Sequence, residues 1–263
     1  MEGPSATTAL VLVQAAVGGT ALLWLGRFWG SVKRGFFVLT GASVLALALL
    51  ATLAAASTVS PQGHPSIENL VLIAVSVFAG LLGASVAAFI LRADLPGRIL
   101  GWLAIPAGVV LLVLFAEVSD GTRGFPSALI QILAGAAFLG AVLDGLLLGH
   151  WYLTDRRLPR EHIRRLSTVL LVTAGIEALA LLGLGLAGEP TDSSGFSVIL
   201  GVSGLTTWLA LGMVGCTGLI AFLIRASLRG EGSRAVQGAT GFFYLAVITA
   251  FTAEMAAKVG FLG

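Results

Sequence analysis

The sequence predicts an all-α, polytopic integral membrane protein with eight transmembrane helices, and three observations lead to that fold class. Hydrophobic residues make up 57% of the 263 positions and charged residues only 11%, whereas a soluble domain carries about 25% charged residues. Apolar runs of bilayer-spanning length, about 20 residues, recur along the whole chain. Basic residues concentrate in alternate connections between these runs. With a mean hydropathy of +1.00, most of the surface is expected to face lipid.

Each apolar run ends at a polar or helix-breaking connection. The first lacks a preceding basic segment, so it is expected to remain as a helix rather than be removed as a signal peptide. It ends at a basic connection, and the later breaks are, in order, "SPQGHPSIEN", "ADLPGR", "SDGTRGFPS", "TDRRLPREH", "GEPTDSSG" and "RGEGSR". No connection is long enough for a folded soluble domain. The predicted spans are 6–26, 35–58, 69–92, 98–118, 127–152, 166–187, 197–226 and 236–261.

The positions of the basic residues predict the orientation. Thirteen of the 15 Lys and Arg residues lie in the connections that follow spans one, three, five and seven. The opposite side carries only Arg123 and Lys258, together with several acidic residues. Short loops rich in Lys and Arg stay in the cytoplasm. Both termini are therefore predicted to lie outside, with the chain in the cytoplasmic (inner) membrane.

Two similar octets indicate an internal repeat. The first, "AFILRADL", occupies 88–95, and the second, "AFLIRASL", occupies 221–228, with five of the eight positions identical. A fainter match, "LWLGRFW" with "LLLGHWY", closes spans one and five. The simpler alternative is that apolar segments ending at Arg recur by chance. The favoured interpretation is two tandem four-helix units of the same orientation, 1–126 and 127–263, related by an axis along the membrane normal.

Two acidic residues within the spans are candidate functional groups, because ionisable residues in a bilayer are costly. Glu177 lies roughly 16 Å into span six, near the midplane, with no basic residue expected at its depth. It could bind a proton, a cation or a quinone head, or it could be a packing group bonded to a neighbour such as Thr173. Asp144 lies in the cytoplasmic third of span five and could reach Arg164 or Arg165. Its simpler interpretation is a hydrogen bond between helices.

Four further residues complete the candidate set. Glu254 and Lys258 are spaced i,i+4 on span eight, so an ion pair near the outer headgroups is expected. His150 is expected to be an interfacial anchor, with proton entry or quinone contact as its alternative role. Tyr244 lies inside span eight, where a buried hydroxyl needs a partner, and it could line a cavity with Glu177.

The cofactor expectations follow from the His and Cys positions. His64 and His162 are expected in loops and His150 at a helix end, so haem held between two histidines is not expected. Cys216 is the single cysteine, which excludes a disulfide within the chain and argues against a cysteine metal site. No covalent or metal cofactor is predicted, and quinone is the one cofactor kept as an option. The basic residues are those that topology requires, so no nucleic acid partner is expected.

Two functions are weighed first. One is a membrane subunit of a larger respiratory, electron-transfer complex, which serves as an anchor with quinone or proton handling at Glu177, Asp144, Tyr244 and His150. Two four-helix units with outside termini resemble the quinone-handling membrane subunits of the polysulfide-reductase type, in topology and without a shared motif; this resemblance implies partner subunits. The other is a secondary transporter or channel with Glu177 and Asp144 as coupling groups. No self-contained catalytic motif is present, so an enzyme acting on lipids ranks last. Lipid, partner subunits or a second copy are the expected contacts.

Overall fold

The computed structural model describes residues 3–28, 32–58, 67–119, 124–155, 158–187, 202–230, 233–259 and 261. In these residues every regular element is an α-helix, and eight helices are long and apolar enough to cross a membrane. The expectation of a multi-pass, all-α membrane protein is confirmed. The helices are α1 Gly3–Phe28, α2 Arg34–Ala56, α3 Ile67–Ile90, α4 Asp94–Val118, α5 Phe125–Thr154, α6 Glu161–Ala187, α7 Val202–Ser227 and α8 Ser233–Lys258.

Helices α1 and α5 form the centre of the molecule. Most of their side chains are buried, whereas the other six helices each bury only part of their surface. The exposed large hydrophobic side chains of those outer helices are mostly Leu, Ile and Val, as expected for a surface in contact with lipid. The central position of α1 and α5 explains their many Ala and Gly residues, because small side chains let neighbouring helices approach closely.

The two central helices run in the same direction and touch through their backbones. The Gln14 side chain reaches the carbonyl oxygen of Ile132, and one turn later Gly18 meets Ala136 and Gly140. Residue numbers therefore increase together along both helices. An ideal Cβ on Gly18 would lie 1.8 Å from the Ala136 carbonyl oxygen, so only glycine allows this approach.

Each half of the chain packs its four helices in a closed circuit. Within the first half α1 contacts α2, α2 contacts α3, α3 contacts α4 and α4 returns to α1; α5 to α8 do the same. Contacts between the halves are made mainly by α1 with α5, and also by α4 with α5 and α1 with α8. In both halves an aromatic ring fills a notch left by glycine on the neighbouring helix: Trp24 lies against Gly101, and Phe243 against Gly145.

The two octets differ in local structure. Helix α3 ends at Ile90, and Arg92 takes a left-handed backbone conformation with φ of 62°. The corresponding Arg225 lies inside α7, which continues beyond it. Phe89 is 6% exposed whereas its aligned counterpart Phe222 is 54% exposed. The aligned octets thus present different faces to the rest of the protein.

Burial repeats between α3 and α7 at a register two residues away from the octet match. At that register, five buried positions of α3 pair one to one with five buried positions of α7. The pairs are Val75 with Ala210, Ala79 with Val214, Leu82 with Thr217, Val86 with Ala221 and Phe89 with Ile224. The alignment that matches the buried faces of α3 and α7 therefore pairs different residues from the alignment that matches their sequences.

Candidate functional site

Glu254 and Lys258 form a buried ion pair at the end of α8. Their charged atoms lie 3.3 Å apart and neither side chain is exposed. The Lys258 ammonium also donates to the backbone carbonyl oxygen of Gln131 on α5, at 3.5 Å, and lies 5.0 Å from the centre of the Phe261 ring. The expected i,i+4 pair is present, but it lies inside the helix bundle rather than among headgroups.

Glu177 of α6 joins this pair. Its side chain is fully buried and interacts electrostatically with both Glu254 and Lys258. The expectation that no basic residue lies near Glu177 was therefore wrong, because α8 brings Lys258 to it. The suggested bond to Thr173 is not made: the Thr173 hydroxyl donates to the carbonyl oxygens of Val169 and Leu170.

Helices α1 and α5 supply the remaining polar wall of the cluster. The Gln14 side-chain amide donates to the Ile132 carbonyl oxygen at 3.0 Å. Gly135 opens the space beside it, because an ideal Cβ there would lie 2.3 Å from the Gln14 amide nitrogen and 2.4 Å from a Glu254 carboxylate oxygen. Gln14 and Gln131 were not predicted as site residues, although each is a glutamine within a predicted span.

The cluster has more acceptors than donors. In the described part of the chain, both carboxylate oxygens of Glu177 and of Glu254 lack a well-aligned hydrogen-bond donor, as do the side-chain oxygens of Gln14 and Gln131. The Lys258 ammonium lies 3.3 Å from a Glu254 oxygen, close enough for an ion pair but without the alignment of a hydrogen bond. Two ionised carboxylates and one ammonium leave one uncompensated negative charge. A single shared proton would neutralise the cluster and supply the missing donor between carboxyl groups.

Asp144 lies apart from this cluster, on the half of α5 nearer the basic connection to α6. It is buried, and its Oδ1 has no hydrogen-bond partner among the described residues. The alternative contact with Arg164 or Arg165 is not made: both are exposed, and Arg165 pairs with Glu161 at 3.1 Å. Asp144 instead lines a small cavity together with His162.

His162 was expected in a loop, and the structure corrects that placement. Helix α6 begins at Glu161, five residues before the predicted start, so His162 lies in its first turn and is buried. The signal was present in the sequence: Pro159 followed by Glu161 is typical of a helix N-terminus, where an acidic side chain favours the first turn.

The other two candidates lie on the outside of the helix bundle. His150 is exposed near the end of α5, and Tyr244 is 50% exposed on α8. Tyr244 therefore does not line a cavity with Glu177. The structure brings Glu177 together with Glu254 and Lys258, and leaves Asp144, His150 and Tyr244 at separate places.

Comparisons with known proteins give no family. No protein-family model, no curated protein and no solved structure matches this chain. Among the described residues, no group of three or more His, Cys, Asp or Glu side chains could hold a metal ion. Functional inference therefore depends on the buried polar groups themselves.

Proposed function

We propose that the chain is the membrane subunit of a larger electron-transfer complex, and that it takes up and releases a proton at the cluster of Glu177, Glu254 and Lys258. The observation that carries this proposal is three ionisable side chains, all fully buried and interacting, with one more acid than base. One exchangeable proton bound by the two carboxylates would neutralise this excess negative charge.

The energetic cost of the cluster supports a functional role. Moving a charge out of water costs several kcal/mol per ion. Replacing a buried ion pair by apolar residues of similar volume often leaves the stability of the protein unchanged or raises it. Helix packing alone therefore does not require Glu177 or Lys258. Ionisable groups placed inside membrane proteins commonly mark proton or ion pathways.

Two enclosed spaces among the described residues are small, and neither is lined by Glu177, Glu254 or Lys258. Two cavities, one beside Trp24 and one beside Asp144, are each about large enough for a single water molecule. Protons and water fit such spaces, whereas a quinone head would have to approach from the lipid or from a partner subunit. The anchoring role is supported by the broad aliphatic surface of the outer helices.

The second candidate function is a secondary transporter or channel with Glu177 and Asp144 as coupling groups. It is favoured by the two closed circuits of four helices and by the parallel central helices, the arrangement expected of a tandem repeat. In this proposal the units are 1–126 and 127–263, and the two buried acids lie in the second unit.

The orientation is part of the proposal. The chain lies in the cytoplasmic membrane with both termini outside, and its basic connections lie in the cytoplasm. Glu254 and Lys258, near the end of α8, would then lie in the outer half of the bilayer. Asp144 and His162 would lie in the inner half.

The experiment compares Glu177→Gln with Glu117→Gln, a matched change at an exposed glutamate near the end of α4. The protein is purified in mild detergent and reconstituted, and infrared difference spectra are recorded across a pH step. We expect Glu177→Gln to remove a carboxyl carbonyl band that Glu117→Gln retains. A spectrum unchanged by Glu177→Gln would refute the proton site.

Purification separates the two candidate functions. Redox subunits that copurify with the chain support the electron-transfer complex. A lone chain that moves a solute in liposomes supports the transporter.

A further inference from the structure

Two arginines at one end of the second half have no acidic partner in the part of the chain that the structure describes. Arg164 lies at the start of α6 and is exposed, and Arg225 lies in the last turn of α7. The acid at the start of α6, Glu161, already pairs with Arg165 at 3.1 Å. Neither Arg164 nor Arg225 forms an ion pair with another described residue.

A hydroxyl group on α6 brings the two arginines to one place. The Thr168 hydroxyl donates to the carbonyl oxygen of Arg164 at 3.1 Å, and Nη1 of Arg225 donates to the oxygen of the same hydroxyl. Arg164 and Thr168 are spaced i,i+4, so they share one face of α6 and lie about 6 Å apart along its axis. The Arg225 guanidinium is therefore held beside α6, one turn from Arg164. A guanidinium has five N–H donors, of which Thr168 uses one.

Membrane topology alone does not require this arrangement. The charge rule for orientation places Lys and Arg in connecting loops, whereas Arg225 lies within α7 and is bonded to another helix. The first half provides a comparison: its aligned Arg92 lies beyond the end of α3. There, Arg34 at the start of α2 pairs with Asp94 at 3.3 Å, and the second octet has Ser227 in the place of Asp94. The first half thus supplies an acid where the second half has a hydroxyl.

The surface beside the two arginines is apolar and exposed. Val172 lies one turn beyond Thr168 on the same face of α6. On α7, Phe222 lies three residues before Arg225, and Leu219 lies three residues further along the same face. A ligand with an anionic group at the arginines would therefore have hydrocarbon side chains along the rest of its length. Two cations next to an apolar face fit an amphiphile better than a free anion.

We propose that Arg164 and Arg225 bind the phosphate of an anionic phospholipid, whose acyl chains lie along the exposed faces of α6 and α7. Guanidinium groups match phosphate geometry, and basic pockets between transmembrane helices bind acidic headgroups. A zwitterionic lipid binds less well, because its own ammonium group offsets the phosphate and is repelled by the second arginine. The site lies about 20 Å along α6 from Glu177, judged from the helical rise, and does not depend on the function proposed above.

The test is native mass spectrometry of the full chain in detergent, titrated with dioleoyl phosphatidylglycerol or dioleoyl phosphatidylcholine, which share the same acyl chains. The unmodified chain is expected to retain phosphatidylglycerol in preference to phosphatidylcholine. Arg164→Gln and Arg225→Gln should each weaken phosphatidylglycerol binding about fivefold and leave phosphatidylcholine binding unchanged. The matched control is Arg92→Gln, which removes the same charge at the aligned, exposed position of the first octet. It should leave phosphatidylglycerol binding as in the unmodified chain.

Three results would overturn the proposal. Equal retention of the two lipids would show that the headgroup charge is not recognised. An equal loss in Arg92→Gln would show that the total positive charge of this end attracts the lipid, without a site. Displacement of phosphatidylglycerol by an equal concentration of glycerol phosphate would show that a free phosphate suffices and the apolar face has no part. If Arg225→Gln does not fold, Arg164→Gln, at an exposed position, decides the question.

Discussion

Gly18 and Gly140 place the backbones of α1 and α5 in direct contact at the centre of the molecule. An ideal Cβ on Gly140 would lie 2.3 Å from the carbonyl carbon of Gly18, and one on Gly18 would lie 3.1 Å from the Cα of Gly140. Backbone atoms cannot move aside as a flexible side chain can. The crossing of the two central helices therefore depends on glycine at both positions.

Gly140→Ala is expected to destabilise the protein by about 3 kcal/mol, the upper end of the cost of overpacking. The added methyl group pushes α1 and α5 apart and loosens the contacts between the two halves. Gly215→Ala is the control, because an ideal Cβ there meets nothing within 4 Å. It should change stability by less than about 0.5 kcal/mol. Unfolding in mixed micelles measures both; equal effects would argue against the backbone contact.

Lys258→Met is expected to cost about 3–5 kcal/mol, because it leaves the buried Glu254 and Glu177 carboxyl groups without their cation. Adding Glu254→Gln should recover much of that loss, since the second change removes one unpaired acid. The same unfolding assay reports both.

The control for Lys258→Met is Arg165→Met. Arg165 also forms an i,i+4 pair, with Glu161, but both side chains are about half exposed. Exposed pairs contribute roughly 0–1 kcal/mol. If the two substitutions cost the same, the Lys258 pair does not behave as a buried one.

The proposed orientation predicts opposite labelling of two single cysteines. In a Cys216→Ser background, Arg229→Cys lies in a basic connection and Ser193→Cys in an acidic one. A membrane-impermeant thiol reagent should label position 193 in intact cells and position 229 only in inverted vesicles. Labelling of both positions from the same side would contradict the alternation of the eight crossings.

The helices were predictable from sequence because apolar runs and Lys/Arg placement are local signals. The Glu254–Lys258 pair was predictable for the same reason, since both residues lie on one helix. The meeting of Glu177 with that pair was not, because it depends on how α6 and α8 are rotated about their axes. When a helix is apolar on all sides, its sequence does not indicate which side faces the protein interior.

The start of α6 shows a different limit. The basic segment before residue 166 was interpreted as a loop because Arg and His are polar, yet the helix already includes His162, Arg164 and Arg165. The exposed Arg side chains reach outward while His162 turns inward from the same turn. Only the neighbouring α5, with Asp144 at the right level, reveals that this polar residue has a buried position.

The two octets supply a last, paired prediction. Phe89 packs against Phe37, with ring centres 6.0 Å apart, and against Trp24, whereas the aligned Phe222 is 54% exposed. In lipid both rings have apolar surroundings, so the difference lies in packing rather than in transfer from water. Phe89→Ala should therefore cost about 2–4 kcal/mol through the cavity it leaves, and Phe222→Ala less than about 0.5 kcal/mol. Equal losses of stability would mean that both octets pack alike, as expected if the repeat follows the sequence match. Unequal losses favour the alignment of the buried faces, in which Phe89 corresponds to Ile224.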